Sequence, residues 1–159
     1  MVGYDYTQNG AYFITICTND RLPVLWNDNK VITNTCTDGT HYIVPLSDAG
    51  RIAETEIDKL NHVYGNTVEV INYVIMPNHI HLLLLLQKME DDPCKPPSIS
   101  RIIQQFKGSI TKQLQKPIWQ RSFHDHVVRN QEEYERIWQY IEINPLVWEK
   151  DLFYVEPST

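Results

Sequence analysis

Two histidines open an unbroken run of leucines in the segment His79–Leu86, and this segment constrains the fold more than any other. An apolar run of this length is typical of a buried strand or a short buried helix. Residues 68–76 form a second apolar segment, rich in β-branched side chains, and only Pro77 and Asn78 separate the two. Because a short break between such segments indicates a hairpin, the sequence predicts two buried antiparallel strands at the centre of a sheet.

The rest of the chain alternates between strand-like and helix-like segments. Residues 11–18 are aromatic and β-branched, and residues 118–128 contain a second such stretch, so each segment predicts a strand. Helical spacing of apolar residues predicts three helices. They begin near Ser47 or Asp48, Ser98 and Asn130, residue types that favour helix N-termini.

The order strand, helix, strand, strand, helix, strand, helix predicts an α+β fold of the ferredoxin-like or RRM-like type. An antiparallel sheet would carry helices on one face, followed by an additional C-terminal helix. Residues 27–46 are polar and irregular apart from a short strand expected at 41–44, and residues 87–98 form a proline-rich loop. At 159 residues the chain is expected to be one domain, spanning residues 1–159.

The charged residues are unevenly distributed. The formal net charge is −6, yet residues 95–130 contain seven basic residues and one acidic residue. A solvated helix face explains such a segment as well as a surface that follows phosphates does. The three cysteines match neither a disulfide framework nor a zinc motif, which favours a reducing cytoplasm. No apolar run is long enough to span a membrane, so no membrane partner is expected.

The histidines at the start of the leucine run form a candidate metal site. On a strand alternate side chains share a face, so His79 and His81 point the same way and Ile80 points into the opposite layer. Two neighbouring imidazoles on one face provide half of a metal site. Histidines satisfied within a core are nevertheless the commoner explanation of such a pair, so its interpretation depends on what else the chain brings to it.

A helix-like segment near the C-terminus provides a candidate nucleophile. Tyr140 and Asn144 lie four residues apart, about 40° apart around a helix, and Pro145 is expected to end that helix. Because a tyrosine hydroxyl has a pKa near 10, its attack on a phosphate needs help, which a divalent cation provides. Two imidazoles and the amide oxygen of Asn144 suit Mg²⁺ or Mn²⁺. Alternatively, Tyr140 only packs and Asn144 only caps the helix.

His124 and His126 repeat the alternation in the last predicted strand, with Asp125 between them. They could form a competing site, or line a substrate groove at the surface of the strand. Glycine-rich phosphate loops, cysteine-rich zinc patterns and Gly-x-Ser-x-Gly elbows are absent from the sequence. A nucleotide-driven enzyme and a serine hydrolase are therefore not expected.

The chain resembles a known protein family. The most specific motifs are Met76-Pro77-Asn78-His79-Ile80-His81 and Tyr140-Ile141-Glu142-Ile143-Asn144-Pro145, in this order. Other matching residues are Tyr4-Asp5-Tyr6 with residues 9–18, Ser100-Arg101-Ile102-Ile103 with Phe106-Lys107, and Trp119-Gln120-Arg121-Ser122-Phe123-His124-Asp125-His126. These motifs resemble those of the single-tyrosine HUH transposases of small bacterial insertion sequences, and most closely those of the REP-associated tyrosine transposases.

The resemblance implies a ferredoxin-like HUH fold whose C-terminal helix carries the tyrosine. It also implies metal-dependent cleavage and strand transfer of single-stranded DNA at hairpins, in DNA transposition or REP-element processing. Tyr140 would attack the phosphorus and stay linked to the 5′ phosphate, leaving a free 3′ hydroxyl. His79 and His81 would be metal ligands, and Asn144 stands where the family places its third ligand.

The resemblance leaves the oligomeric state open. Insertion-sequence members form homodimers in which the tyrosine completes the partner's site, whereas REP-associated members can act as monomers. The basic segment is expected to contact DNA, and aromatic residues near it to stack on unpaired bases. The candidate residues for these contacts are Lys107, Lys112, Arg121, Arg129, Trp119 and Phe123.

Two other functions compete with the transposase. A non-catalytic nucleic-acid-binding protein would use an RRM-like sheet, bind without metal and tolerate the loss of the Tyr140 hydroxyl. A hydrolytic metal-dependent nuclease would use His79, His81 and water, and would form no covalent adduct with DNA. The joint presence of both histidines, Tyr140 and Asn144 favours the transposase.

Overall fold

A computed structural model describes residues 10–28, 30–37, 39–87 and 97–156 of the chain. The sequence expectations for residues 1–9 and for most of the proline-rich loop lie outside these ranges. The strands are β1 (Ala11–Cys17), β2 (Ile32–Cys36), β3 (Gly39–Ile43), β4 (Val68–Ile75), β5 (His79–Leu86) and β6 (His124–Val127). The helices are α1 (Asp48–Val63), α2 (Ile99–Leu114) and α3 (Gln131–Ile143), and a 3₁₀ segment, Asn144–Lys150, follows α3.

The main sheet has four strands in the order β4-β5-β1-β6, and every pair in it is antiparallel. The predicted α+β architecture is therefore confirmed. The prediction that both strands of the β4–β5 hairpin lie at the centre is wrong for β4, which is an edge strand. β1 pairs with the other side of β5 because it too is buried along most of its length, whereas β4 carries the polar residues Glu69 and Asn72.

A second, two-stranded sheet formed by β2 and β3 occupies the segment that was expected to be irregular. The expected short strand at 41–44 overlaps β3, but its partner strand was missed. The sequence of β2, Ile-Thr-Asn-Thr-Cys, is polar and short, so it lacks the apolar alternation that marks a half-buried strand. Thus a hairpin that packs beside the main sheet has almost no signature in the sequence.

One face of the main sheet packs against α1 and α2. Tyr73, which shares a face with Leu82, directs its hydroxyl towards Glu54 on α1. Leu82, Ile57 on α1 and Ile102 on α2 are fully buried in the same core. Burying one aliphatic side chain of this size stabilises the fold by about 1.5–3 kcal/mol. The predicted caps are confirmed for all three helices, by hydrogen bonds to the side chains of Ser47, Ser98 and Asn130.

The opposite face of the sheet packs against α3 and the segment that follows it. Asn72, which shares a face with Leu83, donates a hydrogen bond to Glu142 on α3. α3 ends at Ile143, and Pro145 lies in the first turn of the 3₁₀ segment rather than directly at the helix end. The last turns therefore fold back over the sheet. In the part of the chain that the structure describes, no helix is both long and apolar enough to cross a membrane.

Candidate active site

His79 and His81 lie side by side on the α3 face of β5. Both are almost completely buried, with relative exposures of 0% and 2%, and their ring centroids are 4.6 Å apart. Ile80 between them lies on the other face, fully buried in the α1–α2 core. The predicted alternation is confirmed, and it places two imidazoles in one protein-lined recess.

The hydrogen bonds of Asn78 fix the orientation of the His79 ring. The side-chain nitrogen of Asn78 donates to the carbonyl oxygens of Arg21, at 3.1 Å, and Phe153, at 2.8 Å. Its amide oxygen therefore faces Nδ1 of His79, at 2.8 Å, and accepts the hydrogen of that nitrogen. This leaves a lone pair on Nε2 of His79, which is buried and has no hydrogen-bond partner among the described residues. A ring held in this tautomer is prepared to bind a cation.

His81 bridges the sheet and α3. Its Nδ1 lies 2.9 Å from the hydroxyl of Thr15 on β1, and its Nε2 lies 3.3 Å from the hydroxyl of Tyr140. Phe13 stacks on the same imidazole, with ring centroids 5.1 Å apart. These three contacts fix the orientation of the ring, so its Nε2 points towards the hydroxyl of Tyr140.

Burial keeps both imidazoles neutral. It lowers the pKa of His79 to about 3, with help from the positive charge of Arg21. It also lowers the pKa of His81 well below the ordinary value; the nearby His79 contributes to this shift, and the Asp151 carboxylate opposes it. At neutral pH each ring therefore keeps a nitrogen lone pair for a metal ion or a hydrogen bond.

Tyr140 lies in the last turn of α3 and reaches the histidine pair of its own chain. Its hydroxyl is 3.3 Å from Nε2 of His81 and 3.3 Å from Oδ2 of Asp151, and the residue is 37% exposed. Burial and the Asp151 carboxylate raise the pKa of Tyr140 to about 12, although a hydrogen bond with Asn144 acts in the opposite direction. The hydroxyl is thus protonated at neutral pH.

Asn144 follows α3 directly and points into the same recess. Its backbone N–H donates to the carbonyl of Tyr140, which continues the helical geometry by one residue. The side-chain nitrogen donates to Oδ2 of Asp151 at 2.9 Å. Its amide oxygen is buried and has no hydrogen-bond partner in the described part of the chain. Tyr140 and Asn144 therefore share a helix side, as their spacing predicted.

Asp151 is the site residue that the sequence analysis missed. Its Oδ1 accepts the backbone N–H of Phe153 at 2.7 Å, while Oδ2 faces Tyr140 and Asn144. One ligand atom each from His79, His81 and Asp151 lies within 4.8 Å of the other two. The only signal in the sequence was an acidic residue between aromatic residues in a segment near the C-terminus that packs, and this signal is weak.

The end of α3 is attached to the sheet through Glu142. Asn72 on β4 donates to its carboxylate at 3.1 Å, and the hydroxyl of Tyr42 on β3 donates to its backbone carbonyl at 2.8 Å. Glu142 lies between Tyr140 and Asn144 in sequence. The two contacts therefore fix the turn that carries both residues, and they give the unexpected β2–β3 hairpin a structural role at the site.

The chain has detectable relatives, although no protein-family model matches it. It is 27% identical to an uncharacterized protein of Haemophilus influenzae, over 96% of this chain and 89% of that protein. It is 26% identical to a second protein of this organism, named "Putative REP-associated tyrosine transposase", over 89% of this chain and 73% of that protein.

Two solved structures have a similar fold. One is a REP-associated tyrosine transposase bound to a REP hairpin, with a TM-score of 0.61 and 23% identity over 92% of this chain and 72% of that one. The chain is similar in sequence and fold to REP-associated tyrosine transposases. The other is a "putative transposase" from Deinococcus radiodurans, with a TM-score of 0.50 and 18% identity over 90% of this chain and 92% of that one. The predicted HUH transposase fold is confirmed, and the roles of individual residues stay predictions.

The residues proposed for DNA contacts differ in how available they are. The ammonium group of Lys107 donates to the carbonyls of Gln120, at 2.9 Å, and Ser122, at 2.8 Å, and burial lowers its pKa. Trp119 is only 7% exposed and packs beside Phe106, so its ring has no open face for a base. Phe123 is half-buried beneath the Lys107 ammonium group. The other three basic residues proposed for DNA contacts are exposed: Lys112, Arg121 and Arg129.

The second histidine pair does not form a comparable cluster. His124 and His126 lie on β6, on the same sheet face as His81, but both are exposed. Nε2 of His126 is 2.6 Å from a carboxylate oxygen of Glu133 in the first turn of α3. Among the described residues, His79, His81 and Asp151 make the one group of three such side chains close enough to share a metal.

Proposed function

We propose that this protein cleaves and rejoins single-stranded DNA at hairpins, with Tyr140 as the nucleophile and a divalent metal bound beside it. The observation that carries the proposal is the tyrosine hydroxyl 3.3 Å from the buried His81, in a recess that also contains His79, Asn144 and Asp151. The likeness to a REP-associated transposase bound to a REP hairpin supports a hairpin DNA as the substrate.

The residues of the recess fit a divalent cation. Nε2 of His79 and the amide oxygen of Asn144 are buried acceptors that find no hydrogen-bond partner in the described ranges. Buried polar atoms are rarely left unpaired, so these two acceptors support a cation that binds in the recess. His79, His81 and Asn144 would hold the ion, and this mixed nitrogen and oxygen set suits Mn²⁺ or Mg²⁺. When bound, the cation would stabilise negative charge on the phosphate oxygens.

The chain's own residues would position the reacting groups. The Tyr140 oxygen attacks the phosphorus, a bond from phosphorus to the tyrosine oxygen forms, and the bond to the 3′ oxygen breaks. The hydroxyl proton leaves towards Oδ2 of Asp151, the near acceptor that does not belong to the proposed metal ligands. The departing 3′ oxygen takes up a proton and becomes a hydroxyl. Because one ester replaces another, rejoining reverses the step without an external energy source.

The site would work within one chain. Tyr140 faces the histidines of its own sheet, and the contacts of Glu142 with Asn72 and Tyr42 hold α3 in that position. A homodimer that exchanges the tyrosine helix would have to break these contacts. We therefore expect the monomer to be active.

A search for the covalent intermediate tests the proposal. Labelled single-stranded hairpin oligonucleotides are mixed with the protein in Mn²⁺ or in EDTA and run on a denaturing gel, with Tyr140→Phe as the matched variant. We expect a protein–DNA adduct that needs both Mn²⁺ and the Tyr140 hydroxyl. Cleavage without an adduct would instead favour hydrolysis by a metal nuclease. Equal metal-free binding by both proteins with no cleavage would favour a non-catalytic binding protein.

A further inference from the structure

A strained turn follows β1 and carries an arginine to the edge of the histidine site. Asp20 and Arg21 have φ values of 52° and 53°, in the left-handed region that residues other than glycine rarely adopt. Two such residues in succession are unusual, and conformations of this kind concentrate at functional sites. The strained turn therefore favours a functional role for the Arg21 side chain.

The same asparagine that orients His79 also holds this turn. The carbonyl oxygen of Arg21 accepts a hydrogen bond from the side-chain nitrogen of Asn78 at 3.1 Å, and its backbone N–H donates to the carbonyl of Thr18 at 3.1 Å. The amide oxygen of Asn78 faces Nδ1 of His79. The backbone of Arg21 is thus only one side chain away from a candidate metal ligand.

The guanidinium group of Arg21 lies over the ring of Phe153, which packs beside His79. Its central carbon is 4.8 Å from the ring centroid of Phe153, and that ring lies 4.7 Å from the ring of His79. Arg21 is exposed, and it forms no ion pair with any residue that the structure describes. The face of the guanidinium packs on Phe153, and its N–H groups donate to no residue that the structure describes.

Neighbouring charges favour an anion at this position. The positive charge of Arg21 contributes to the low pKa of His79, so the two groups share one electrostatic environment. Lys107, a second cation near this end of β1, is already bonded to two carbonyl groups. A planar guanidinium with free N–H groups matches two oxygens of a phosphate, and such bonds are strong because both partners are charged.

We propose that Arg21 binds the scissile phosphodiester beside the histidine pair and stabilises the charge on its non-bridging oxygens while Tyr140 attacks. This inference rests on the proposed function. It explains why a charged residue, rather than glycine, occupies a left-handed position: the conformation directs the guanidinium towards Phe153 and the site. The guanidinium would bind the phosphodiester in the ground state and stabilise the added charge of the transition state further.

Two glycine substitutions in the same turn separate the side chain from the backbone. Arg21→Gly removes the guanidinium and puts glycine where φ is positive; Asp20→Gly makes the same change one residue earlier and keeps the guanidinium. Because glycine tolerates this conformation, neither variant should melt below wild type. We expect Arg21→Gly to form the covalent adduct about 100-fold more slowly at saturating hairpin DNA, and Asp20→Gly to match wild type.

Chemical rescue excludes a merely structural role. Added guanidinium ion at millimolar concentration should restore part of the Arg21→Gly rate and leave Asp20→Gly unchanged. Arg21→Lys should stay well below wild type, because an ammonium group cannot present two parallel N–H groups. Equal adduct rates for the two glycine variants would overturn the inference even though the wild type is active.

A second measurement applies even if no hairpin in the panel is cleaved. Dimethyl phosphate, a simple phosphodiester, is titrated into each Mn²⁺-loaded protein, and the relaxation of its ³¹P signal reports how closely it approaches the metal. We expect enhanced relaxation with wild type and Asp20→Gly, and a loss of most of the enhancement with Arg21→Gly. Equal enhancement in all three proteins, or none in wild type, would overturn the inference. Absence of the adduct from wild type alone would count against the proposed function.

Discussion

The two faces of the main sheet differ in how their buried hydrogen-bond acceptors are satisfied. On the α1–α2 face the buried carboxylate of Glu56 receives hydrogen bonds from Lys59, at 2.6 Å, and Gln113, at 2.8 Å. On the α3 face Nε2 of His79 and the amide oxygen of Asn144 are equally buried but lack any partner among the described residues. The buried carboxylate on one face has protein partners, and the two buried acceptors on the other face would find theirs in a ligand.

This difference separates stability from function. A buried polar group without a partner costs free energy, so the α3 face is tolerable because the α1–α2 face supplies an apolar core. The leucines of β5 serve both faces, since alternate residues enter opposite layers. The comparison predicts that changes on one face act mainly on stability, and changes on the other act mainly on chemistry.

The largest expected effect is that of Tyr140→Phe on strand transfer. The variant removes the attacking oxygen, so adduct formation should fall by at least about 1,000-fold, to the limit of detection. Stability should hardly change, because the contacts of the hydroxyl with His81 and Asp151 are long, at 3.3 Å each. Adduct yield checks the predicted loss of strand transfer, and the melting temperature of the same sample checks the predicted stability. A residual adduct in the variant would show that another nucleophile acts.

The matching change on the other face is Ile57→Ala. Ile57 is fully buried between α1 and the sheet, so the cavity should cost about 2–5 kcal/mol of unfolding free energy. Urea unfolding measures this loss. The adduct rate per folded molecule should equal that of wild type, and a rate that falls well beyond the folded fraction would break the separation between the two faces.

Acid should destabilise the metal-free protein through the α3 face. His79 has a pKa near 6.5 when unfolded and about 3 when folded, so between these values the unfolded chain binds the extra proton. Stability from this residue is therefore present above pH 6.5 and is lost as the pH falls, by up to about 1.4 kcal/mol per pH unit. Urea unfolding in EDTA at several pH values measures the slope.

Two variants test whether His79 causes this pH dependence of the unfolding free energy. His79→Gln cannot titrate at this position and should lower the slope to the part that the buried His81 contributes, whereas His124→Gln, on exposed β6, should keep the slope of wild type. If both variants keep the slope of wild type, the loss of stability in acid originates elsewhere.

The smallest expected effect is that of Tyr42→Phe, which removes the hydrogen bond from β3 to α3. One such bond contributes about 0.5–1.5 kcal/mol. We expect a modest fall in adduct rate with unchanged Mn²⁺ affinity, because Tyr140 moves while the histidines do not. Tyr64→Phe, which removes a hydroxyl contact with Gln105 on the α1–α2 side, is the matched control. Equal adduct rates in the two variants would exclude an anchoring role for β3.

The comparison of faces also explains which parts of the site the sequence predicted. The shared direction of His79 and His81 follows from strand alternation, and that of Tyr140 and Asn144 from helical periodicity. Each pair is set by local backbone geometry, so a few residues of sequence suffice. The helix caps at Ser47, Ser98 and Asn130 are local in the same way.

The remaining parts depend on contacts between residues far apart in the chain. Asp151 reaches the recess because the segment after α3 folds back over the sheet, and Arg21 lies over Phe153 at its edge, on a strained turn that Asn78 holds. Trp119 was expected to stack on bases, but tertiary packing buries it. Pairing preferences between distant segments also decided that β4 lies at the sheet edge.

The sequence by itself determined the elements, their order and the two pairs that share a face, because periodicities of two and 3.6 residues are properties of the backbone. Only the tertiary structure decided that those pairs meet within one chain and that an aspartate joins them. Such meetings are set by the packing of whole elements against a common core. No local pattern encodes that packing, and it is this packing that creates the acceptors left without partners on the α3 face.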